Sequence, residues 1–179
     1  MNENIKTSSS VKRDILLERR KSKIIRPPLF PLFIDLEHKN ILIIGGGKIA
    51  LRRCGTLLKC GAVVKIISPE FCEGFLNLKS DNLTLIKREF LFDDLTSEYE
   101  FVIAATNNHE LNLKIKEHAK NLNILVNLVD DASECDFYFP AMINYENISI
   151  TISSAGLDIK NTHKIANIIR ENLKDWLKN

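Results

Sequence analysis

The stretch from Asn40 to Ala50, reading Asn-Ile-Leu-Ile-Ile-Gly-Gly-Gly-Lys-Ile-Ala, constrains this chain most. An unbroken apolar run stops at three glycines and continues as helix-compatible sequence. A short run without polar alternation suits a strand buried on both faces. Gly45, Gly47 and Ala50 fit G-x-G-x-x-A. In that pattern the first glycine permits a tight turn, the second lets a pyrophosphate approach the backbone, and the small third residue lets helix pack on strand. Free amides at the helix start then face the phosphates. A glycine-rich turn without any ligand is the alternative reading.

From Leu29 onward strand and helix signals alternate, which predicts an α/β protein with a doubly wound, Rossmann-type parallel sheet. The expected elements are strand Asn40–Ile44, helix Lys48–Lys59 with Ile49, Leu51, Leu57 and Leu58 inward, and strands Ala62–Ile67, Leu83–Lys87 and Phe101–Ala105. Helix Asn108–Asn121, with Leu111, Ile115 and His118 or Ala119 at helical spacing, and strand Ile124–Val129 complete the unit. Gly61 is expected to stop the first helix. The pattern then changes. Two extended runs, Phe137–Ile143 and Ile148–Ser153, flank Asn144-Tyr145-Glu146-Asn147 and read as an antiparallel hairpin, either a sheet extension or a surface for a second subunit, with dimerisation favoured. The helix Thr162–Lys178 follows, with Ile165, Ile168, Ile169, Leu173, Trp176 and Leu177 on one face.

In such a sheet a dinucleotide lies across the carboxyl ends of the strands. The expected cofactor-binding residues are therefore Gly45, Gly46, Gly47, Lys48 and Ile49 after the first strand, Ser68, Pro69 and Glu70 after the second, and Thr106 after the fourth. Glu70 stands somewhat beyond the usual ribose-binding carboxylate. With Lys65 the nearest cation and no Arg just after the second strand, NAD is favoured over NADP. The fifth strand ends in Asn127-Leu128-Val129-Asp130-Asp131, where a carboxylate can accept a proton beside a hydride acceptor or simply form a turn. Ser153-Ser154-Ala155-Gly156 either meets substrate or turns the chain into the last helix.

The chain has 179 residues, 45% of them hydrophobic, enough for one sizeable core but not for a second full domain. No apolar run approaches the roughly 20 residues of a membrane span, and the amino terminus lacks a signal-peptide core, so a cytoplasmic location without membrane contact is expected. Cys54, Cys60, Cys72 and Cys135 lack C-x-x-C spacing and read as reduced, packed thiols with no metal. Residues 1 to 26 carry eight Lys or Arg against three acids, which marks a basic extension ending at Pro27-Pro28. Aromatics are not interleaved with these charges, so no nucleic-acid surface is expected.

Five motifs in order resemble one known family. They are Ile43-Ile44-Gly45-Gly46-Gly47-Lys48-Ile49-Ala50, Ala104-Ala105-Thr106, Asn127-Leu128-Val129-Asp130, Asp136-Phe137-Tyr138-Phe139-Pro140-Ala141 and Ser153-Ser154-Ala155-Gly156. Together with Pro28-Leu29-Phe30 they are similar to the precorrin-2 dehydrogenase domain of siroheme synthesis, over about residues 28 to 175. The resemblance implies NAD-dependent oxidation of precorrin-2, an anionic tetrapyrrole with eight carboxylates, to sirohydrochlorin. It implies Asp130 as catalytic residue, Asn127, Ser154 and Gly156 as substrate-binding residues, and a homodimer. It also implies a division into a basic extension (1–27), an NAD-binding domain (28–141), and a dimerisation hairpin with its helix (142–179). Some relatives also insert iron into sirohydrochlorin, and a non-catalytic NAD-sensing module is a further alternative. This chain departs from the family at Ala155-Gly156-Leu157-Asp158-Ile159, where two glycines and then Ser-Pro are usual, and at His163, where Arg is common. It also stops at Asn179, soon after the last helix, which gives the expectation of a looser pocket or one completed by a partner. Iron insertion is accordingly expected to be secondary to dehydrogenation.

Overall fold

The structure is a computed structural model that describes residues 29–178. The chain divides into two units, Met1–Phe33 and Ile34–Asn179. Of the first, residues 29–33 are exposed and without regular secondary structure, and the basic extension lies outside the described residues. Every element below belongs to the second unit.

Its centre is a five-stranded parallel sheet of β1 (Asn40–Ile44), β2 (Val63–Ser68), β3 (Leu83–Lys87), β4 (Phe101–Ala104) and β5 (Leu125–Leu128), in the order β3-β2-β1-β4-β5. Helix α1 (Lys48–Lys59) leads from β1 to β2, and α2 (His109–Asn121) leads from β4 to β5. Successive side chains of β1 go to opposite faces. Ile41 and Ile43 pack with Ala50, Cys54 and Leu57 of α1, whereas Leu42 and Ile44 pack with Ile115 and Ala119 on the α2 side. Both faces of β1 are therefore covered, which is why its sequence shows no alternation. Each such side chain contributes about 1.5–3 kcal/mol by burial. That anchors the turn that follows β1 in the middle of the sheet, where the connections from β1 and β4 depart in opposite directions.

The elements form where periodicity placed them, with local differences. On α1 the inward stripe is Ala50, Cys54 and Leu57, while Ile49 is 43% exposed. Ile49 lies in the first turn, beside the glycines, before the helix reaches the sheet. On α2 the buried set is Asn112, Ile115 and Ala119, with Leu111 only half-buried. Asn108 stands just outside α2 as its cap, its Oδ1 accepting from Leu111 N at 3.1 Å. Residues Phe137 to Pro140 form no strand because they turn into the core: the Phe137 ring lies 5.0 Å from Phe101 and 5.7 Å from Phe139.

The hairpin is β6 (Ala141–Tyr145) and β7 (Ile148–Ile152), with Tyr145 opposite Ile148. Its turn is the two residues Glu146-Asn147, shorter than the four-residue connection expected, and Glu146 takes φ +49°. Helix α3 (Ile159–Trp176) starts three residues before the expected Thr162 because Asp158 caps it, accepting from Asn161 N at 2.9 Å. Of its apolar face, Ala166 is buried, whereas Ile165, Ile168 and Trp176, with Leu177 just beyond, remain 44–56% exposed.

Candidate active site

The three glycines after β1 have three different jobs. Gly45 has φ +114°, and a Cβ there would stand 2.2 Å from the Ala105 carbonyl oxygen. A Cβ on Gly46 would stand 2.1 Å from the Glu70 carbonyl oxygen and 2.9 Å from both Ser68 Oγ and Phe71. These two glycines let the loops after β4 and β2 close over the turn, and Cys72 N donates to Gly46 O at 2.8 Å to hold one of them. Gly47, which caps α1, meets nothing within 4 Å, so the space above it is open. Exposed backbone at the start of a helix with no side chain above it fits a pyrophosphate. Gly46→Ala is expected to cost about 1–3 kcal/mol by overpacking. That is a fall in Tm of roughly 3–10 °C, read by circular dichroism.

The neighbouring strand ends are built around this turn. Ser68 is 6% exposed and its Oγ donates to Glu70 O at 2.6 Å, so the hydroxyl is engaged in shaping the loop, while Pro69 and Glu70 are exposed at the edge. Lys48 and Ile49 are exposed beside Gly47. Lys65 points elsewhere: its Nζ donates to the Tyr99 hydroxyl at 2.8 Å and lies 3.7 Å from Glu98. After β4, Thr106 is locked by Asn112, a fully buried residue that the sequence reading missed. Asn112 Oδ1 accepts from Thr106 N at 3.2 Å and from Thr106 Oγ1 at 2.7 Å, and Asn112 Nδ2 donates to Thr106 O at 3.1 Å. A buried amide bonded three times to one residue fixes the loop.

Beyond β5 the two aspartates separate. Asp131 is a cap, its Oδ1 accepting from Ser133 N at 2.9 Å. Asp130 does no such local work; its Oδ2 lies 2.8 Å from His109 Nδ1, at the start of α2, and its side chain is 30% exposed. Asn127 is 2% exposed, and its Nδ2 donates to Phe137 O at 2.8 Å. Cys135 Sγ donates to Leu128 O at 3.1 Å and accepts from Leu128 N at 3.2 Å, and burial pushes its thiol pKa up. It is a packed plug at the strand end, consistent with the reduced thiols expected.

A cavity of about 510 Å³ opens between the β5 end, α1, the hairpin and α3. It brings together Asn127, Ser154 and Gly156 and does not include Asp130, which turns towards α2 instead. Its lining also holds Arg52, Arg53, Lys59 and Arg170, with His163 and, among the described residues, no carboxylate. These cations were not singled out in the sequence; the only signal was the Arg52-Arg53 pair beside the inward stripe of α1. The segment that departs from the family pattern keeps a glycine-like path, with Ala155 at φ +52° and Gly156 at φ +77°. Ser154 Oγ accepts from Asp158 N and from Thr162 Oγ1, each at 3.0 Å, which ties this turn to α3.

Residues 32–141 match a family model described as "Putative NAD(P)-binding". The chain belongs to that family. This NAD(P)-binding chain is 39% identical over 126 residues to a siroheme synthase of Pseudoalteromonas translucida (strain TAC 125), covering 70% of the chain and 27% of that protein. It is 34% identical over 148 residues to a siroheme synthase of Photorhabdus laumondii subsp. laumondii, covering 82% of the chain and 30% of that protein. The chain thus spans under a third of the length of these relatives. Among solved structures it resembles SirC, precorrin-2 dehydrogenase, at a TM-score of 0.65 and 24% identity over 80% of this chain and 71% of that one. That likeness establishes the shared Rossmann-type architecture. No helix among the described residues is long and apolar enough to cross a membrane.

Proposed function

We propose that this chain is an NAD-dependent precorrin-2 dehydrogenase, producing sirohydrochlorin for siroheme. The observation that carries the reading is a cavity at the carboxyl edge of the sheet, lined by cations and, among the described residues, by no acid, with the glycine turn of the same sheet open above Gly47. The siroheme synthase relatives and the name of the solved neighbour support it. Gly45, Gly46, Gly47, Lys48, Ile49, Ser68, Pro69, Glu70 and Thr106 form the dinucleotide edge, and Asn127, Ser154 and Gly156 form the substrate wall. A bound nicotinamide supplies a hydride acceptor. The chain supplies the rest: cationic side chains draw in the polycarboxylate, and Asp130, which stands next to Val129 of the cavity wall rather than in it, accepts the proton released on aromatisation at Oδ1, the oxygen not bonded to His109, from a ring that extends past that wall. NAD rather than NADP is favoured because Lys65 is engaged with Tyr99 and Glu98.

The division into 1–27, 28–141 and 142–179 gives the last segment the assembly role, in a homodimer formed in the cytoplasm. The exposed Ile165, Ile168, Trp176 and Leu177 make an apolar face that a second copy would cover. Ile168→Glu is expected to shift the protein from dimer to monomer in light scattering; a wild type that is already monomeric removes the dimer. The function itself is tested by anaerobic incubation with precorrin-2 and NAD, following sirohydrochlorin absorbance. With ferrous iron added, sirohydrochlorin is expected to accumulate ahead of siroheme. No oxidation of precorrin-2 above the enzyme-free control would refute the dehydrogenase.

A further inference from the structure

Arg53 is a half-buried cation with no carboxylate partner among the described residues. Its Nε and Nη1 atoms are buried without a hydrogen-bond acceptor, and its guanidinium carbon lies 4.0 Å from the centre of the Phe139 ring. Burial, reinforced by neighbouring Arg52, lowers its pKa to about 10. Taking an unpaired guanidinium out of water is costly, and stacking on one aromatic ring offsets only part of that. Among the described residues, the cavity it lines holds no carboxylate that could neutralise it. A second orphan lies in the same lining. Asn127 Oδ1 is buried with no donor, and the amide is oriented by the bond from its Nδ2 to Phe137 O.

The cavity therefore holds a donor group lacking an acceptor and an acceptor lacking a donor. Inorganic anions answer only the first, and apolar ligands answer neither. A polycarboxylated pyrrole ring system carries both complements, acid side chains and ring N–H groups. We propose that Arg53 is the specificity-determining anchor of this cavity, taking a carboxylate of such a ligand while a ring N–H of the same molecule meets Asn127 Oδ1. The ring chemistry rests on the precorrin-2 reading; the assignment of the residue that reads the acid substituents goes beyond it.

The test uses uroporphyrin, an octacarboxylate porphyrin, titrated by fluorescence into the full chain without dinucleotide. Arg53→Met keeps the aliphatic contact with Phe139 and removes the charge, and it is expected to weaken uroporphyrin binding about 10- to 100-fold. Arg53→Lys is expected to restore most of that loss, and NAD affinity is expected to stay constant in both. Because the charge is uncompensated in the free protein, Arg53→Met is also expected to leave Tm equal to or above that of wild type, which a structural role would not allow. Unchanged uroporphyrin binding in Arg53→Met, no binding by wild type, or a loss that Arg53→Lys does not reverse would each overturn the proposal. A wild type that binds uroporphyrin through Arg53 yet leaves precorrin-2 unoxidised would remove the dehydrogenase reading and leave this anchor standing.

Discussion

Asp130→Asn is expected to cut the turnover of precorrin-2 by about 10²- to 10⁴-fold, the range for loss of an acid–base group. NAD affinity and the circular dichroism spectrum should be unchanged. The amide keeps the size of the side chain and an oxygen that can accept from His109, so the 2.8 Å contact to His109 Nδ1 can survive the change. What disappears is the charge and the capacity to take a proton. The neighbouring carboxylate provides the control, because Asp131 is tied to Ser133 N. Asp131→Asn should act on stability rather than on turnover. Near-normal turnover in Asp130→Asn would end the acid–base assignment, and a selective loss of NAD affinity would move Asp130 into the dinucleotide site.

The second large effect is expected at Gly47. Valine there meets no protein atom within 4 Å, so the fold should persist, but its side chain would occupy the space through which a pyrophosphate reaches the helix amides. NAD binding, measured by calorimetry, is expected to fall below detection while Tm stays near wild type. Gly45 and Gly46 serve this purpose less well, since their Cβ atoms would strike the Ala105 and Glu70 carbonyls and a loss of binding would be mixed with damage to the fold. Retained NAD affinity in a folded Gly47→Val protein would be incompatible with a dinucleotide over this turn.

The sheet was legible because its determinants are local in sequence. An apolar run with no alternation means cover on both faces, and β1 has it; three glycines before a helix mean a turn that must pass close to other groups, and this one does. The site was legible only in part, because its remaining members depend on what folds over them. Arg52-Arg53 reads as a solvated helix surface until Phe137 to Pro140 turn inward and place Phe139 against Arg53. Asn112 reads as another polar position on a polar helix, and only the approach of Thr106 makes it a buried clamp. Asp130 and Asp131 are indistinguishable as letters; the 3-10 turn Ala132–Glu134 claims one and His109 the other. The apolar face of α3 was plain from its period, but among the described residues nothing covers Ile165, Ile168 or Trp176.

The three bonds between Asn112 and Thr106 have a consequence for how fast a ligand is captured. A shelf already fixed by three bonds to a buried amide on the helix that follows it has no loop to order when the dinucleotide arrives, so the entropy of ordering that segment is spent during folding rather than during capture. Stopped-flow association of NAD should then be a single phase whose observed rate rises linearly with concentration. In Asn112→Ala the same trace should acquire a slower, saturating second phase, the kinetic mark of a loop that has to find its place.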